Sequence, residues 1–363
     1  MKLQVTQENL AKALNNVARI AMSSRNPLPI LNNVLLKTTK NRLSISATNL
    51  EIAITEKIGS KVHAEGSITV PARLMQEYNT SLPSGVLDLE LEEHKLHIST
   101  DQYRSTINGV IADEFPVVPE ISKGQEWTIP AKECKSLGQV IFAASSDETR
   151  PVLTGVFLHT QNQHLFAAAT DSYRLAEKKL IKTAQNISLL VPATALQELL
   201  RILPDNLENI EVYADAQQVL FRAGDIELVT KLIDASYPDY RKLIPTSFST
   251  TATVNRDEFM AITKVSSLFA RESAGSITIK VDESDRKISI TSIASQLGEN
   301  TSSATANIKG DGEVTLNSRY LLDALNALNS QEVAFSFNGK LEACVIKSSE
   351  SPDCTYLVMP LKS

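Results

Sequence analysis

Aromatic residues are scarce in this sequence: they make up 5% of 363 residues, with a single tryptophan. No stretch interleaves them with basic residues, which argues against a stacking platform for single-stranded nucleic acid. Cysteine is equally thin. Cys134, Cys344 and Cys354 are widely spaced and form no CxxC pair. That set argues against a disulfide framework or a zinc site and for a reducing, cytoplasmic setting. No apolar run reaches the roughly 18 residues that a membrane helix needs. The opening Met1–Glu8 turns polar at once, so no signal peptide is expected. Basic residues are not in excess: 36 Lys and Arg face 42 Asp and Glu, a formal charge of −6. Binding to a polyanion would therefore require charge segregated onto one surface.

Catalytic signatures are missing too. Gly339-Lys340 is the only Gly-Lys pair, and it lacks the preceding glycine of a phosphate-binding loop. The patterns GxGxxG, HExxH and GxSxG do not occur. The histidines are His63, His94, His97, His159 and His164. His94 and His97 fall in an apparent hairpin, on opposite faces of a strand, and read as surface residues. The acidic pair Glu92-Glu93 lies at a turn and reads as solvated. No His lies near a cysteine in sequence to activate it, so the thiols are expected in cores. No catalytic residue, cofactor or metal ligand is expected.

What is present is periodic. Hydrophobic residues make up 42% and charged residues 21%, ordinary for a globular protein, and the length suits two or three domains. Six segments open alike, with an apolar residue, then Pro, Asn or Thr, then a helical pattern. They start at Val5, Val70, Ile129, Val191, Val254 and Leu316, 59–65 residues apart. Thr6, Asn255 and Asn317 suit N-caps. Pro71, Pro130 and Pro192 suit a first helical turn, where a missing N–H costs nothing. The apolar spacing that follows is helical: Leu10, Leu14 and Val17; Leu74, Tyr78 and Leu82; Cys134, Leu137 and Ile141. It continues with Leu196, Leu199 and Leu203; Phe259, Ile262 and Phe269; Leu321, Leu325 and Leu328. The predicted helices span 7–21, 71–82, 131–145, 193–203, 256–270 and 318–328. Between them runs such as Val86–Leu91, Lys95–Ser99, Ile210–Tyr213, Val219–Phe221 and Lys287–Ile290 read as strands. Short turns such as Leu82-Pro83-Ser84-Gly85 and Ala223-Gly224-Asp225 make them antiparallel.

The units pair into larger repeats. Leu28-Pro29-Ile30-Leu31 matches Arg150-Pro151-Val152-Leu153; Ala47-Thr48-Asn49 matches Ala169-Thr170-Asp171; Asp113–Pro116 matches Ala235–Pro238. The fold class is α+β, with three similar domains at 1–122, 126–246 and 250–363, each carrying two helices on antiparallel sheet. The predicted helices hold nine basic residues (Lys12, Arg19, Arg73, Lys132, Lys135, Arg201, Arg256, Lys264, Arg319) against seven acidic ones. Either these are ordinary solvated faces, or all helices face one way and present a weakly positive wall. Weakness would matter, because each neutralised phosphate tightens binding and would slow movement along a duplex.

These segments, with Glu148–Gly155, Ala169–Ala176, Tyr237-Pro238-Asp239-Tyr240-Arg241, Leu322–Leu328 and the tail Tyr356–Leu361, closely resemble the bacterial DNA polymerase III beta subunit family, the sliding clamps. The resemblance spans essentially the whole chain. It implies a DNA clamp fold and a head-to-tail homodimer that closes a ring around double-stranded DNA without reading sequence. Helices would line the hole. The implied function is DNA replication processivity, with no enzyme activity of its own. It also implies partners that dock short peptide motifs: the DNA polymerase III catalytic subunit, the clamp loader, other DNA polymerases and repair proteins. No membrane partner is implied. The groove that the family uses maps to Leu153, Thr170, Ser172, Tyr173, Arg174, Leu175, Pro238, Lys242 and Leu243. Asn317, Tyr320, Leu341, Leu357, Val358, Met359, Pro360 and Leu361 complete it. DNA-binding contacts are expected at Arg25, Arg73, Arg150 and Arg201, and the dimer seam at Ile107, Leu268 and Phe269. The ending Leu361-Lys362-Ser363 departs from the Arg or bulkier last residue common in the family. Set against the clamp are a repeat-built interaction scaffold that does not bind DNA, and an enzyme whose site converges from distant residues.

Overall fold

The computed structural model describes residues 1–23, 28–119, 121, 124–294 and 298–361. The chain forms two compact units. Met1–Cys134 joins Gln197–Leu232, and Lys135–Leu196 joins Ile233–Ser363.

The first unit holds two sheets. One has five strands in the order Lys61–Ala64, Lys2–Thr6, Val86–Glu92, Lys95–Ser99 and Arg104–Asn108. The other has eight: Gln125–Pro130, Asn209–Ala214, Gln218–Ala223, Ile226–Lys231, Ile52–Gly59, Arg42–Thr48, Asn33–Thr39 and Ser67–Pro71. Helices α1 (Gln7–Ser23) and α2 (Ala72–Ser81) pack on each other, and α1 covers the strands Arg42–Thr48 and Ile52–Gly59. The second unit is built on twelve strands. Their order is Ser188–Pro192, Gly155–Gln161, His164–Thr170, Arg174–Lys182, Cys354–Val358, Cys344–Ser348, Glu332–Phe337, Thr250–Asn255, Gly298–Lys309, Lys287–Ala294, Ser276–Asp282 and Gly312–Asn317. All pairings given for these strands are antiparallel, as the short turns require.

The expected third helix is broken. It forms α3 (Ala131–Lys135) and α4 (Gly138–Ile141), separated by a turn at Ser136 and Leu137. Gly138 and Ser136 are poor helix formers, and the bonds from Gln139 N to Ser136 O and Val140 N to Leu137 O are of the tighter i→i+3 kind. Cys134, Leu137 and Ile141 are nevertheless all buried. The remaining helices are α5 (Ala193–Ile202), α6 (Arg256–Phe269) and α7 (Ser318–Ala327).

Three helix faces follow the apolar spacing. Leu10, Leu14 and Val17 are buried, as are Leu196, Leu199 and Leu203, and Leu321, Leu325 and Leu328. On α2 the phase differs from expectation. Leu74 is 49% exposed, and the buried stripe is Ala72, Met75 and Asn79. The Asn79 side-chain amide donates to Gln7 O at 3.2 Å and Gln7 Nε2 donates to the Asn79 main-chain O at 2.7 Å, while Asn79 Oδ1 has no hydrogen-bond partner among the described residues. On α6 the core face includes Thr263 and Ser266 beside Phe259. Thr263 bonds back to Phe259 O, and Ser266 donates to Asn300.

The caps follow sequence closely. Asn255 accepts from Asp257 N and Glu258 N, and Asn317 from Arg319 N and Tyr320 N. Pro71, Pro130 and Pro192 stand one residue earlier than expected, each ending a strand immediately before its helix. All three cysteines are buried and free, and burial pushes the Cys134 and Cys344 thiols up to about 12. They are packing groups with little thiolate at neutral pH.

Candidate partner groove

The site is built on one strand pairing of the second unit. Arg174–Lys182 runs antiparallel to Cys354–Val358, with Leu175 opposite Leu357 and Arg174 opposite Val358. Leu175, Leu357, Ala168 and Tyr240 form a buried cluster, against which Phe157, Tyr237, Ile244, Ala343 and Met359 pack while keeping part of their surface. Beyond the strand the tail continues to pair. Met359 N donates to Tyr173 O, and Leu361 N to Thr315 O, both at 2.8 Å. Leu153, in a 3₁₀ turn at Pro151–Leu153, is buried, and Pro360 and Leu361 are partly so.

The loop before Leu175 is held by local polar bonds. Asp171 Oδ1 accepts from Tyr173 N and Arg174 N, and Thr170 Oγ1 donates to Arg174 O and accepts from Ser172 N. Ser172 takes φ +79°, a left-handed turn that lifts Tyr173 outward, where it is 58% exposed. The repeat-equivalent loop Thr48-Asn49-Leu50-Glu51 is built alike. Asn49 Oδ1 accepts from Glu51 N and Ile52 N, and Leu50 has φ +75°.

Arg174 is a strut. Its guanidinium bonds Asp171 Oδ2 at 3.0 Å, Phe142 O at 2.8 Å and Asp323 Oδ2, and lies over the Tyr320 ring at 4.7 Å. With its side chain 13% exposed, it ties the loop to α7. Arg150, to which the resemblance assigns a DNA contact, lies beside this loop. It bonds Asp147 and Ser172 and, with Asp171, Tyr173, Arg174, Arg319 and Tyr320, lines a pocket of about 270 Å³. Asn317 is spent on capping α7 and on Ala274 O. Lys242 pairs with Asp239, and Leu243 (56% exposed) and Leu341 (66%) stand at the surface, as does Pro238.

The far wall comprises Tyr237, Tyr240 and Arg241, which the sequence reading quoted without a role, together with His159, Glu177, Phe157 and Phe166, which it did not assign to the site. Tyr240 donates to Glu177 and accepts from His159 Nε2 at 2.7 Å, and Arg241 Nε donates to Glu177 at 2.8 Å and lies over Phe166 at 4.2 Å. Phe157 stacks on His159 at 4.7 Å and on Tyr237 at 5.0 Å. This network clamps Tyr237–Leu243 onto the sheet. The Tyr237–Arg241 motif was the available signal.

Elsewhere, Arg25 lies outside the described residues. Arg73 is 79% exposed and bonds Glu77. Arg201 is largely occupied, by Glu198 and by the Asn15 and Asn16 carbonyls of α1. Glu198 also holds Arg19 at 3.1 Å, so one carboxylate serves two guanidiniums. Ile107 is buried in the terminal strand Arg104–Asn108, opposite Leu96. Leu268 is 49% exposed on α6, Val265 beside it 44%, and Phe269 is half-buried.

Comparison with known proteins decides the family. Three models of the DNA polymerase III beta subunit match in order: the N-terminal domain over 1–119, the central domain over 128–239 and the C-terminal domain over 241–362. The chain belongs to the DNA polymerase III beta subunit family. Beta sliding clamps of Staphylococcus epidermidis and Staphylococcus aureus are each 29% identical, with both chains covered in full. The sliding clamp of Bacillus subtilis superposes with a TM-score of 0.95 at 29% identity, covering 100% of this chain and 99% of that one. The beta chain of Streptococcus pneumoniae gives 0.93 at 28%, with 100% of both chains covered. The fold is the three-domain clamp fold, and the protein is a DNA replication processivity factor of a non-catalytic family.

Burial, followed by the nearby Arg241 charge, lowers the His159 pKa from 6.5 to about 4, with Glu177 opposing. Below pH 6.5 the unfolded chain gains a proton that the folded chain refuses, so stability falls as pH drops from about 6.5 to about 4. His159→Phe keeps the stack and removes the titration. Melting temperatures measured from pH 7 to pH 5 should fall less steeply for the variant; parallel slopes would contradict a neutral His159.

Proposed function

We propose that two copies of this chain close head to tail into a ring around duplex DNA and tether partners through the Leu175–Leu357 groove. Three repeats, at 1–122, 126–246 and 250–363, would supply the ring segments. The observation that carries the tethering is the exposed margin of the apolar cluster: Met359, Tyr237, Ile244 and Ala343 keep accessible surface over a buried floor. A short partner segment could lodge an aliphatic or aromatic anchor there, with Tyr173, Arg150 and Tyr320 as a polar rim. The replicative polymerase's catalytic subunit, the clamp loader, and other polymerases and repair proteins would then compete for one surface.

Association with DNA would rest on the field of the helices, with Arg73 and Arg201 as contacts. Their partial neutralisation by Glu77 and Glu198 suits a ring that must move. Enclosure replaces base reading, so no catalytic group or cofactor is required, and the protein would work in the cytoplasm. The seam would set the strand Arg104–Asn108, terminal in its sheet among the described residues, against the exposed Leu268 and Val265 of a second copy.

Two experiments follow. Truncating residues 359–363, or placing Asp at both Leu243 and Leu341, should cut the affinity of a labelled clamp-binding peptide from the cognate polymerase at least about tenfold. The buried strand stays intact in both, and unchanged affinity would contradict the groove. Leu268→Asp should shift the light-scattering mass from two chains to one chain of 39.7 kDa. Ile107 is unsuitable for this test because its side chain packs in its own unit. A mass that stays at two chains would contradict the seam.

A further inference from the structure

The exposed face of α1 runs along Glu8, Lys12, Asn15, Arg19 and Met22, a single helical stripe. The opposite face packs on the strands Arg42–Thr48 and Ile52–Gly59, so the stripe looks away from the sheet. Asn15 ties it to α2, its Oδ1 accepting from Gln76 Nε2 at 2.6 Å. The last turns of α5 lie beside it, and their Glu198 and Arg201 belong to the same compact unit.

Two guanidiniums meet one carboxylate there. Glu198 Oε2 accepts from Arg201 Nε at 2.8 Å, and Glu198 Oε1 lies 3.1 Å from Arg19 Nε. The two arginines are held differently. Arg201 is committed inward: its terminal nitrogens donate to Asn16 O at 2.7 Å and Asn15 O at 3.2 Å. Its side chain is 28% exposed. These bonds anchor Arg201 to α1 and bring the largely shielded Glu198 carboxylate to Arg19. Arg19 has Glu198 as its one ion pair among the described residues, and its side chain is 61% exposed.

One negative charge thus serves two positive ones, and the more exposed cation is the more weakly held. An ion pair with so exposed a partner is weak. A guanidinium can exchange a carboxylate for a phosphate with the same forked geometry.

We infer that Arg19 is a phosphate contact for duplex DNA and that Glu198 is the carboxylate that restrains it. Arg201, anchored on the α1 carbonyls, keeps Glu198 in reach. While paired, Arg19 makes no lasting bond to a phosphate. Grip on the duplex is therefore lower than the number of cations on the helices implies. The inference rests on the reading that the helices associate with DNA, and it adds the residue that sets the strength of that association.

The test is fluorescence anisotropy of the full chain with a short labelled linear duplex over a range of salt. Glu198→Gln should tighten binding severalfold and steepen the slope of log affinity against log salt by about 0.9, the value for one more neutralised phosphate. Adding Arg19→Gln to Glu198→Gln should abolish the steepening. Glu8→Gln removes a charge from the same helix face without freeing a guanidinium and should leave the slope unchanged. Arg19 is exposed, so Arg19→Gln alone keeps the test valid if Glu198→Gln does not fold. Alone it should weaken binding about twofold or more. No binding of the unaltered chain at any salt would overturn the DNA reading and the inference with it. Where the unaltered chain binds, three results would each overturn the inference alone. They are an unchanged slope in Glu198→Gln, a steepening that survives Arg19→Gln or appears equally in Glu8→Gln, and unchanged binding by Arg19→Gln.

Discussion

The candidate groove depends on the antiparallel pairing of Arg174–Lys182 with Cys354–Val358. It joins residues far apart in sequence, sets Leu175 beside Leu357, and lets Met359 continue the ladder to Tyr173. Two buried leucines opposite one another form a floor rather than a binding surface. The surface comes from what packs at their margin, and that is positioned by polar struts. Arg174 ties the loop to α7, while Glu177, Tyr240 and Arg241 tie the Tyr237–Leu243 segment to the sheet. A charge buried this way costs desolvation, and here each is met by hydrogen bonds or a ring face.

The same join occurs in the first unit, between Ile52–Gly59 and Ile226–Lys231, with a matching loop conformation at Leu50 and Ser172. The repeat thus conserves backbone and register while side chains diverge.

Much of this was legible in the residues. The period of the six openings located the helices, the caps at Asn255 and Asn317 form as read, and the short turns forced antiparallel sheets. Failures have physical causes. Apolar spacing misphased α2 because a buried position is filled by Asn79, whose amide NH2 bonds the Gln7 carbonyl. A continuous third helix was expected where Gly138 and a tightened turn break it. The wall of the groove was hidden because Tyr240, Glu177 and His159 meet only through the fold. The positivity of the helices was visible as a small excess. Its partial cancellation by Glu198, which serves Arg19 and Arg201 together, was not.

The central claim is that DNA is held by enclosure. The direct measurement is retention at high salt after loading by the cognate loader on nicked circular duplex, before and after the circle is linearised. Retention on the circle and loss on linearisation is the predicted result. Equal retention on both forms, or none on the circle, would contradict the account.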